Sequence, residues 1–378
     1  MRLVDPNDWS PRGIDDLEPN AWRALRAAGS TCIVAGPGAG KTEFLAQRAS
    51  YLLETGLCQK PHRILAISFK SDAAENLADR VRKRCPPELA NRFTPPSFEA
   101  FSKGRVDRLP SAVPAGWRPS RPYGIWFPTK AQTEGHLTES RLSAPVQWQG
   151  DIAGFPWLQF EARHVGPYRL PLAPEVPQSG AEFTVLRWWA KMLRAQPQSS
   201  MTFVGLNRLA ELLMRAVPHI RYALQMTYPF VFVDEFQDTT FAQYDFLLSA
   251  FHGSGVSLTA VGDDKQRIMT WAGARPDAFA RVKEDFAAQP IPLLFNFRSS
   301  PDLVRIQHVV ARALDPQAAQ SLSQTKSQVD GDVAQVWTSQ TVDSEALHLA
   351  QWLSADMDAR GRKPRDYVLL VKQKAEDF

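Results

Sequence analysis

A glycine-rich loop at residues 35–42 joins an apolar segment to a segment of helical character, and it constrains the fold more than any other feature. Residues 31–34 are short and apolar, which is typical of a buried strand. Residues 41–54 place apolar side chains on one face and end before Gly56. Glycines in such a loop let backbone N–H groups turn toward phosphate oxygens, and the helix N-terminus adds a positive dipole end. The pattern predicts a strand, a phosphate-binding loop and a helix, in that order.

The alternation of apolar strand and amphipathic helix continues along the chain. Helices are predicted at 71–84, 206–216 and 301–314, and strands at 64–67, 230–233, 257–261 and 291–295. Continuous apolar strands joined by helices are buried on both faces of a sheet. We therefore predict an α/β fold with a parallel sheet.

Residues 103–200 interrupt this rhythm. The stretch is rich in proline and tryptophan, and it is too aromatic to be disordered. We interpret it as an inserted irregular subdomain, which is either a duplex-binding arm or a protein-docking surface. The first domain is accordingly predicted to comprise residues 1–102 and 201–285.

A second domain is predicted to begin at residue 286 and to continue to residue 378. After a polar linker at 317–332, its predicted elements are a strand at 333–337, a helix at 344–359 and a strand at 367–371. The last strand would have no neighbours to bury it. We expect the chain to be a fragment, with a natural truncation or completion by a partner protein as alternatives.

Composition narrows the class of protein. The chain is 44% hydrophobic and 22% charged, as in ordinary globular proteins, and it has no apolar stretch of membrane-spanning length. Its net charge of +4 is compatible with nucleic acid binding without demanding it. The three cysteines have neither paired nor metal-ligand spacing, which indicates a reduced, zinc-free, cytoplasmic protein.

The side chains of the loop have separate predicted roles. Lys41 would reach the β- and γ-phosphates of a nucleotide, and the Thr42 hydroxyl would ligate Mg²⁺. The residues whose backbone would hold the phosphates are Gly36, Gly38, Ala39 and Gly40. We therefore expect the cofactors ATP and Mg²⁺.

An acidic run at 233–239, Val-Asp-Glu-Phe-Gln-Asp-Thr, follows the predicted strand 230–233. Ligands of open α/β sheets bind outside the carboxyl ends of the strands, so Asp234 and Glu235 should lie at the same edge as the phosphate loop. Asp234 would hold Mg²⁺ through a water molecule, and Glu235 would orient and deprotonate the attacking water. The alternative is that the two carboxylates are merely solvated, but this does not explain why they follow a phosphate loop in the sequence.

Five ordered motifs resemble those of superfamily 1 DNA helicases of the UvrD/Rep type. Besides the phosphate loop and the acidic run, these motifs are found at residues 64–74, 260–274 and 294–300. The resemblance covers residues 31–300 and implies a RecA-like, P-loop NTPase sheet. It also implies an ATP hydrolase that acts on DNA.

The resemblance implies roles for three residues in the nucleotide cleft. Gln266 would contact the γ-phosphate or its water and couple hydrolysis to the DNA site. Arg298 would act as an arginine finger on the transition-state charge. Phe297 would stack on adenine, with core packing as the alternative.

The resemblance also implies DNA contacts. Trp271 would stack on a base with little dependence on sequence, the alternative being a core tryptophan. Ser68 and Phe69 would touch single-stranded DNA at a strand end. Glu99 stands where the family usually has a histidine, and a carboxylate there is unfavourable beside a phosphate backbone.

Two departures from the family concern the nucleotide base. Ala21 occupies the position of a glutamine that reads adenine, and Glu43 occupies that of an arginine close to the base. The resemblance thus leaves the selectivity for adenine open. We hypothesise that ATP and GTP are hydrolysed with similar efficiency.

The residues together predict an ATP-dependent DNA translocase or helicase with 3′ to 5′ polarity on single-stranded DNA. Its expected partners are single-stranded or partly duplex DNA and a protein such as a nuclease. An alternative is a nucleotide-dependent DNA-binding regulator of a nuclease or defence complex, without sustained unwinding. An RNA-directed motor fits the run at 233–239 less well.

Overall fold

The chain folds into two compact units, one ending at Ser327 and one beginning at Gln328. The structure is a computed structural model that describes residues 3–326 and 332–370. Its strands are β1 Thr31–Ala35, β2 Ile64–Ile67, β3 Phe93–Thr94, β4 Gly124–Ile125, β5 Ser200–Met201, β6 Phe230–Val233, β7 Ser257–Gly262, β8 Gln289–Leu293, β9 Phe295–Asn296 and β10 Leu322–Ser323.

A parallel sheet of six strands forms the centre of the first unit. The strand order is β3-β2-β6-β7-β1-β8. Strands β2 and β7 are buried along their whole length, because helices cover both faces of the sheet. The predicted α/β fold with a parallel sheet is confirmed, and the predicted strands at 64–67 and 230–233 have the observed bounds.

The helices alternate with these strands. They are α1 Pro19–Arg26, α2 Lys41–Glu54, α3 Ser71–Arg84, α4 Pro87–Ala90, α5 Phe98–Arg108, α6 Lys130–Ser143, α7 Val146–Ala153, α8 Gly180–Leu193, α9 Phe203–Ala216, α10 Pro218–Thr227, α11 Phe241–Phe251, α12 Ala278–Asp285, α13 Pro301–Leu314 and α14 Val342–Arg360. Helices α2 and α3 have the predicted bounds. Helix α9 begins three residues earlier than predicted, because the Thr202 hydroxyl accepts a hydrogen bond from Gly205 N–H and caps it there.

The inserted residues 103–200 are more regular than the sequence suggests. Helices α6 and α8 each begin at a capping side chain, Thr129 and Ser179 respectively. Trp188 and Trp189 of α8 are fully buried, in the same apolar cluster as β6 and α9. The aromatic residues of the insertion therefore build a core that is continuous with one face of the sheet.

Strand β8 corrects the predicted start of the second domain at residue 286. Residues 289–293 pair in parallel with β1 at the edge of the first sheet. Pro290 and Pro292 have no N–H to donate, which confines such a strand to an edge. Alternation of strand and helix does not reveal which sheet a strand joins. The two prolines were the available signal that residues 289–293 form an edge strand.

The second unit contains helix α14 between Thr341, whose hydroxyl caps it, and Gly361, which is left-handed with a φ of 62°. The predicted helix at 344–359 is thus confirmed. Residues 333–337 and 367–370 form no strand, which corrects both predictions; residue 371 lies outside the described residues. A strand is stable only where neighbouring strands accept its hydrogen bonds.

In the described ranges 3–326 and 332–370, no helix combines the length and the apolar character needed to cross a membrane.

Candidate active site

The glycine-rich loop connects β1 to α2 at the carboxyl edge of the sheet. Gly38 and Gly40 have left-handed backbones, with φ of 77° and 75°. A Cβ on Gly38 would lie 2.6 Å from Asn296 Oδ1, so a side chain is excluded there on steric grounds as well. The loop thereby turns into the N-terminus of α2, where free backbone N–H groups favour an anion.

Lys41 is the first residue of α2, and its ammonium group bends back over the loop. The Nζ atom donates to the carbonyl of Ala35 at 3.2 Å and to that of Gly36 at 3.5 Å. These carbonyls hold the cation at the mouth of the loop. The ammonium group of Lys41 is therefore placed to contact a phosphate bound over the loop.

Asp234 and Glu235 follow β6, two strands away from β1 in the sheet. Burial raises the pKa of the Asp234 carboxyl to about 6, and the charge of Glu235 adds to the shift. A nearby cation would stabilise the ionised form of such a buried carboxyl. Glu235 has a φ of 50°, an uncommon conformation for a residue other than glycine that often occurs at functional sites.

Hydrogen bonds join the turns that follow β6 and β7. Gln237 donates from Nε2 to Glu235 Oε2 at 2.7 Å, and its Oε1 accepts from Asp263 N–H at 3.0 Å. Asp263 Oδ2 in turn accepts from Gln266 Nε2 at 3.0 Å. Asp263 thus supports the loop of Gln266, and Gln237 connects that loop to Glu235, a contact for which the sequence gave no signal.

The segment after β8 closes over the phosphate loop. Phe297 N–H donates to Gly38 O at 2.9 Å, and Asn296 Nδ2 donates to Pro37 O at 2.8 Å. Asn296 Oδ1 also accepts from the backbone of Arg298 at 2.9 Å. Sequence reasoning gave Asn296 no role, although it precedes Phe297 and Arg298 directly.

These segments enclose a cavity of about 330 Å³. The residues that line it are Pro37, Gly38, Ala39, Gly40, Lys41, Thr42, Glu43, Arg80, Glu235, Gln266, Phe297 and Arg298. Four of the five predicted catalytic residues therefore meet in one cleft, and the fifth, Asp234, is 5% exposed at the end of β6. Arg80 belongs to the lining but was not predicted.

A second cavity, of about 590 Å³, adjoins the loop on the side of α1 and shares Ala39, Gly40, Glu43, Arg80 and Phe297 with the first. Glu18 lies at its wall and accepts hydrogen bonds from the backbone of Leu294 at 2.9 Å and Phe295 at 2.6 Å. Because Phe297 is 54% exposed, its ring is available to a ligand and is not part of the core.

Glu43 is engaged by basic side chains of α3. Its carboxylate accepts from Arg84 Nε at 2.9 Å and from Arg80 Nη1 at 3.0 Å. Burial would raise the pKa of Glu43, but hydrogen bonds from Arg84, Gln47 and Arg80 lower it overall. The acidic side chain at this position is therefore neutralised, and Arg80 brings a positive charge to the cavity wall.

The predicted DNA-contacting residues differ in exposure. Trp271 is 54% exposed in the turn Thr270–Ala272 after β7, which excludes a core position. Phe69 is half-buried at the end of β2. Ser68 is fully buried because its backbone bridges to Ser97, so it presents no surface to a strand of DNA.

Mg²⁺ prefers oxygen ligands and keeps several waters, so it is held by few protein side chains. Thr42 at the start of α2 and Asp234 at the end of β6 supply such oxygens, and the raised pKa of Asp234 fits a place for a cation. Over the described ranges, no three histidine, cysteine or acidic side chains cluster as a protein-only metal site. The residues present therefore fit a metal that arrives with a nucleotide.

The fold and the cleft define a class of protein: an α/β protein that binds nucleoside triphosphates at the carboxyl edge of a parallel sheet. A sequence model of the UvrD/REP helicase N-terminal domain matches residues 17–109 and 190–287. The chain belongs to this family. The gap between the matched segments, 110–189, falls within the insertion.

Several helicases are similar in sequence. The chain is 24% identical to ATP-dependent DNA helicase Rep of Salmonella typhimurium over 310 residues, which cover 78% of the chain and 43% of that protein. It is 26% identical to DNA helicase II of Escherichia coli over 301 residues, 77% of the chain and 39% of the relative. It is 22% identical to ATP-dependent DNA helicase PcrA of Leuconostoc citreum over 349 residues, which cover 92% of the chain and 45% of that protein. The chain thus spans less than half the length of these relatives.

Proposed function

We propose that this chain forms the nucleotide-hydrolysing part of an ATP-dependent DNA translocase or helicase of superfamily 1. The observation that carries the proposal is the convergence of Lys41, Glu235, Gln266 and Arg298 on one cleft beside the glycine-rich loop. Similarity to three proteins named ATP-dependent DNA helicases or DNA helicase II supports DNA as the substrate.

In the proposed reaction, the phosphates of ATP lie over the loop and Lys41 neutralises part of their charge. Mg²⁺ bound with the nucleotide, held by Thr42 and Asp234, would neutralise further charge on the β- and γ-phosphates. Glu235 orients the attacking water and accepts its proton. Arg298 lies in the cleft wall, where it stabilises charge on the transferred phosphoryl group.

Gln266 connects hydrolysis to DNA in this proposal. It lines the cleft, and the exposed ring of Trp271 follows five residues later in the same loop. A flat aromatic ring stacks on any base for about 1–3 kcal/mol, which suits a motor that reads no sequence. Phe69 supplies a second aromatic surface, and we propose 3′ to 5′ movement from the family resemblance.

We also propose that the nucleotide base is recognised less strictly than in typical members of the family. Ala21 in α1 offers no hydrogen bond to adenine, and the Glu43 carboxylate is occupied by Arg84 and Arg80. ATP and GTP should then have similar kcat/KM values. A tenfold preference for ATP in matched titrations would contradict this part of the proposal.

Steady-state ATPase assays of the 378-residue chain, with and without single-stranded DNA, test the proposed function. We expect stimulation by DNA in the wild type, and about a 10²–10⁴-fold loss of kcat in Glu235→Gln. The matched control is Glu284→Gln, an exposed position in α12. Slow hydrolysis that is indifferent to DNA would instead favour a nucleotide-dependent regulator.

A further inference from the structure

Gln237 lies between the two catalytic turns with both ends of its side-chain amide engaged. It is 3% exposed, in the turn Phe236–Asp238 directly after Glu235. Its NH₂ group donates to the Glu235 carboxylate at 2.7 Å, and its oxygen accepts from Asp263 N–H at 3.0 Å. Only one orientation of the amide satisfies both partners, because a carboxylate only accepts and a backbone N–H only donates.

The contact continues from Asp263 into the loop of Gln266. Asp263 Oδ1 accepts from Lys265 N–H at 3.1 Å, and Oδ2 accepts from Gln266 Nε2 at 3.0 Å. The same loop leads to the turn that carries Trp271, and Arg275 N–H after that turn returns to Thr239 O at 2.8 Å. The loop is therefore hydrogen-bonded to the turn of Glu235 at both of its ends.

Space for the amide is provided by a glycine. A Cβ on Gly262, the last residue of β7, would lie 2.3 Å from Gln237 Oε1 and 3.0 Å from Phe236 N. Any larger residue would displace the amide from Asp263. The bridge that Gln237 forms between Glu235 and Asp263 thus depends on side chains and backbone at the ends of both β6 and β7.

We propose that Gln237 is a positioning residue that sets the orientation of Glu235 according to the position of the loop carrying Gln266 and Trp271. This inference rests on the proposed function. A shift of that loop on binding DNA would pull on Asp263 N–H and, through Gln237, on the Glu235 carboxylate. A small displacement of a catalytic group has a large effect on the rate, on the order of a hundredfold for 1 Å.

Two substitutions separate the parts of the bridge. Gln237→Met keeps the length of the side chain and removes both hydrogen bonds. Gln237→Glu keeps an acceptor for Asp263 N–H and replaces the donor with a charge that repels Glu235. The matched control is Gln225→Met in α10, whose amide donates to Ala250 O at 2.7 Å.

We expect both Gln237 variants to lower kcat by roughly 10–100-fold with KM for ATP within about threefold, and to lose most of the stimulation by single-stranded DNA. If Gln237 only stabilised the fold, its substitution would lower the melting temperature but would not lower kcat selectively while leaving KM unchanged. Combining Gln237→Met with Gln266→Ala should add little further loss, because residues in one hydrogen-bonded chain are not additive.

Amide hydrogen exchange supplies a readout that does not require hydrolysis. Asp263 N–H should exchange faster in Gln237→Met and keep the wild-type rate in Gln225→Met. Wild-type ATPase stimulated by DNA together with unchanged kcat and stimulation in Gln237→Met would overturn this inference alone. A wild type without ATPase activity would overturn the proposed function itself.

Discussion

The two ends of the cleft are built in different ways. The phosphate end is the 330 Å³ cavity at the glycine-rich loop, and the base end is the adjoining 590 Å³ cavity beside α1, where we propose that the base binds. At the phosphate end, Gly38, Gly40 and Lys41 line one cleft together with Glu235 and Arg298. At the base end, Ala21 and Glu43 stand where the family resemblance implies other residues, and Phe297 is the residue that we propose to stack on the base. The two ends share residues Ala39, Gly40 and Glu43 of the loop and the start of α2.

The difference follows from what each end uses for recognition. Phosphates are bound by backbone N–H groups and by charges that few residue types supply, at positions fixed by strand ends. In our proposal, a base would meet Phe297 and side chains on α1 and α2, each of which can be replaced separately. The Glu43 ion pairs with Arg84 and Arg80, which neutralise that carboxylate, are an example.

The largest expected effect is at the phosphate end. Arg298→Ala should lower kcat by roughly 10³-fold or more, the range found for arginine fingers, with a smaller change in KM. Steady-state ATPase kinetics measure this. Arg305→Ala, an exposed position in α13, is the control, and a loss below tenfold in Arg298→Ala would remove this residue from the chemistry.

The next largest effect is expected at Phe297, which we propose to stack on the base. Phe297→Ala should raise KM for ATP about tenfold and leave kcat nearly unchanged, since a ring–base stack contributes about 1–3 kcal/mol. The backbone bond from Phe297 N–H to Gly38 O is retained in the variant. Phe297→Tyr should behave as the wild type. If kcat fell instead of affinity, the two ends would not be separable.

A smaller effect is expected from restoring the family residue at position 21. Ala21 faces the 590 Å³ cavity, which has room for a glutamine side chain. Ala21→Gln should raise kcat/KM for ATP relative to GTP by about three- to tenfold, the value of one hydrogen bond. The ratio of the two kcat/KM values measures this, and no change in the ratio would mean that the base does not reach α1.

The smallest effect concerns stability. Because the pKa of Glu43 is lowered in the folded chain, its ionised form stabilises the fold above the pKa of the unfolded state, and this contribution is lost as pH falls. Glu43→Gln should lower the free energy of unfolding by about 1 kcal/mol at pH 7. The difference should shrink below about pH 4.5, measured by urea unfolding at several pH values.

The control for the stability experiment is Glu75→Gln, at an exposed position of α3. It should leave unfolding unchanged at each pH. An equal loss in Glu43→Gln at low and neutral pH would show that the effect is one of packing and not of charge.

Local pattern was sufficient for the elements that carry the phosphate end. Strands β2 and β6 are continuous apolar runs, and α2 and α3 have apolar side chains at helical spacing between recognisable ends. The motifs also predicted that Lys41 and Glu235 lie at the same edge of the sheet, and both line the cleft there. These features depend on neighbours close in sequence, so the sequence by itself determined them.

Tertiary structure alone decided the partners of residues distant in sequence. Pairing with β1 placed β8 in the first sheet, burial against Ser97 removed Ser68 from the surface, and the proximity of β6 to β7 brought Gln237 to Asp263. Glu43 found Arg84 forty-one residues away in the same manner. Such contacts depend on how strands are ordered and helices packed, which one-dimensional periodicity does not encode.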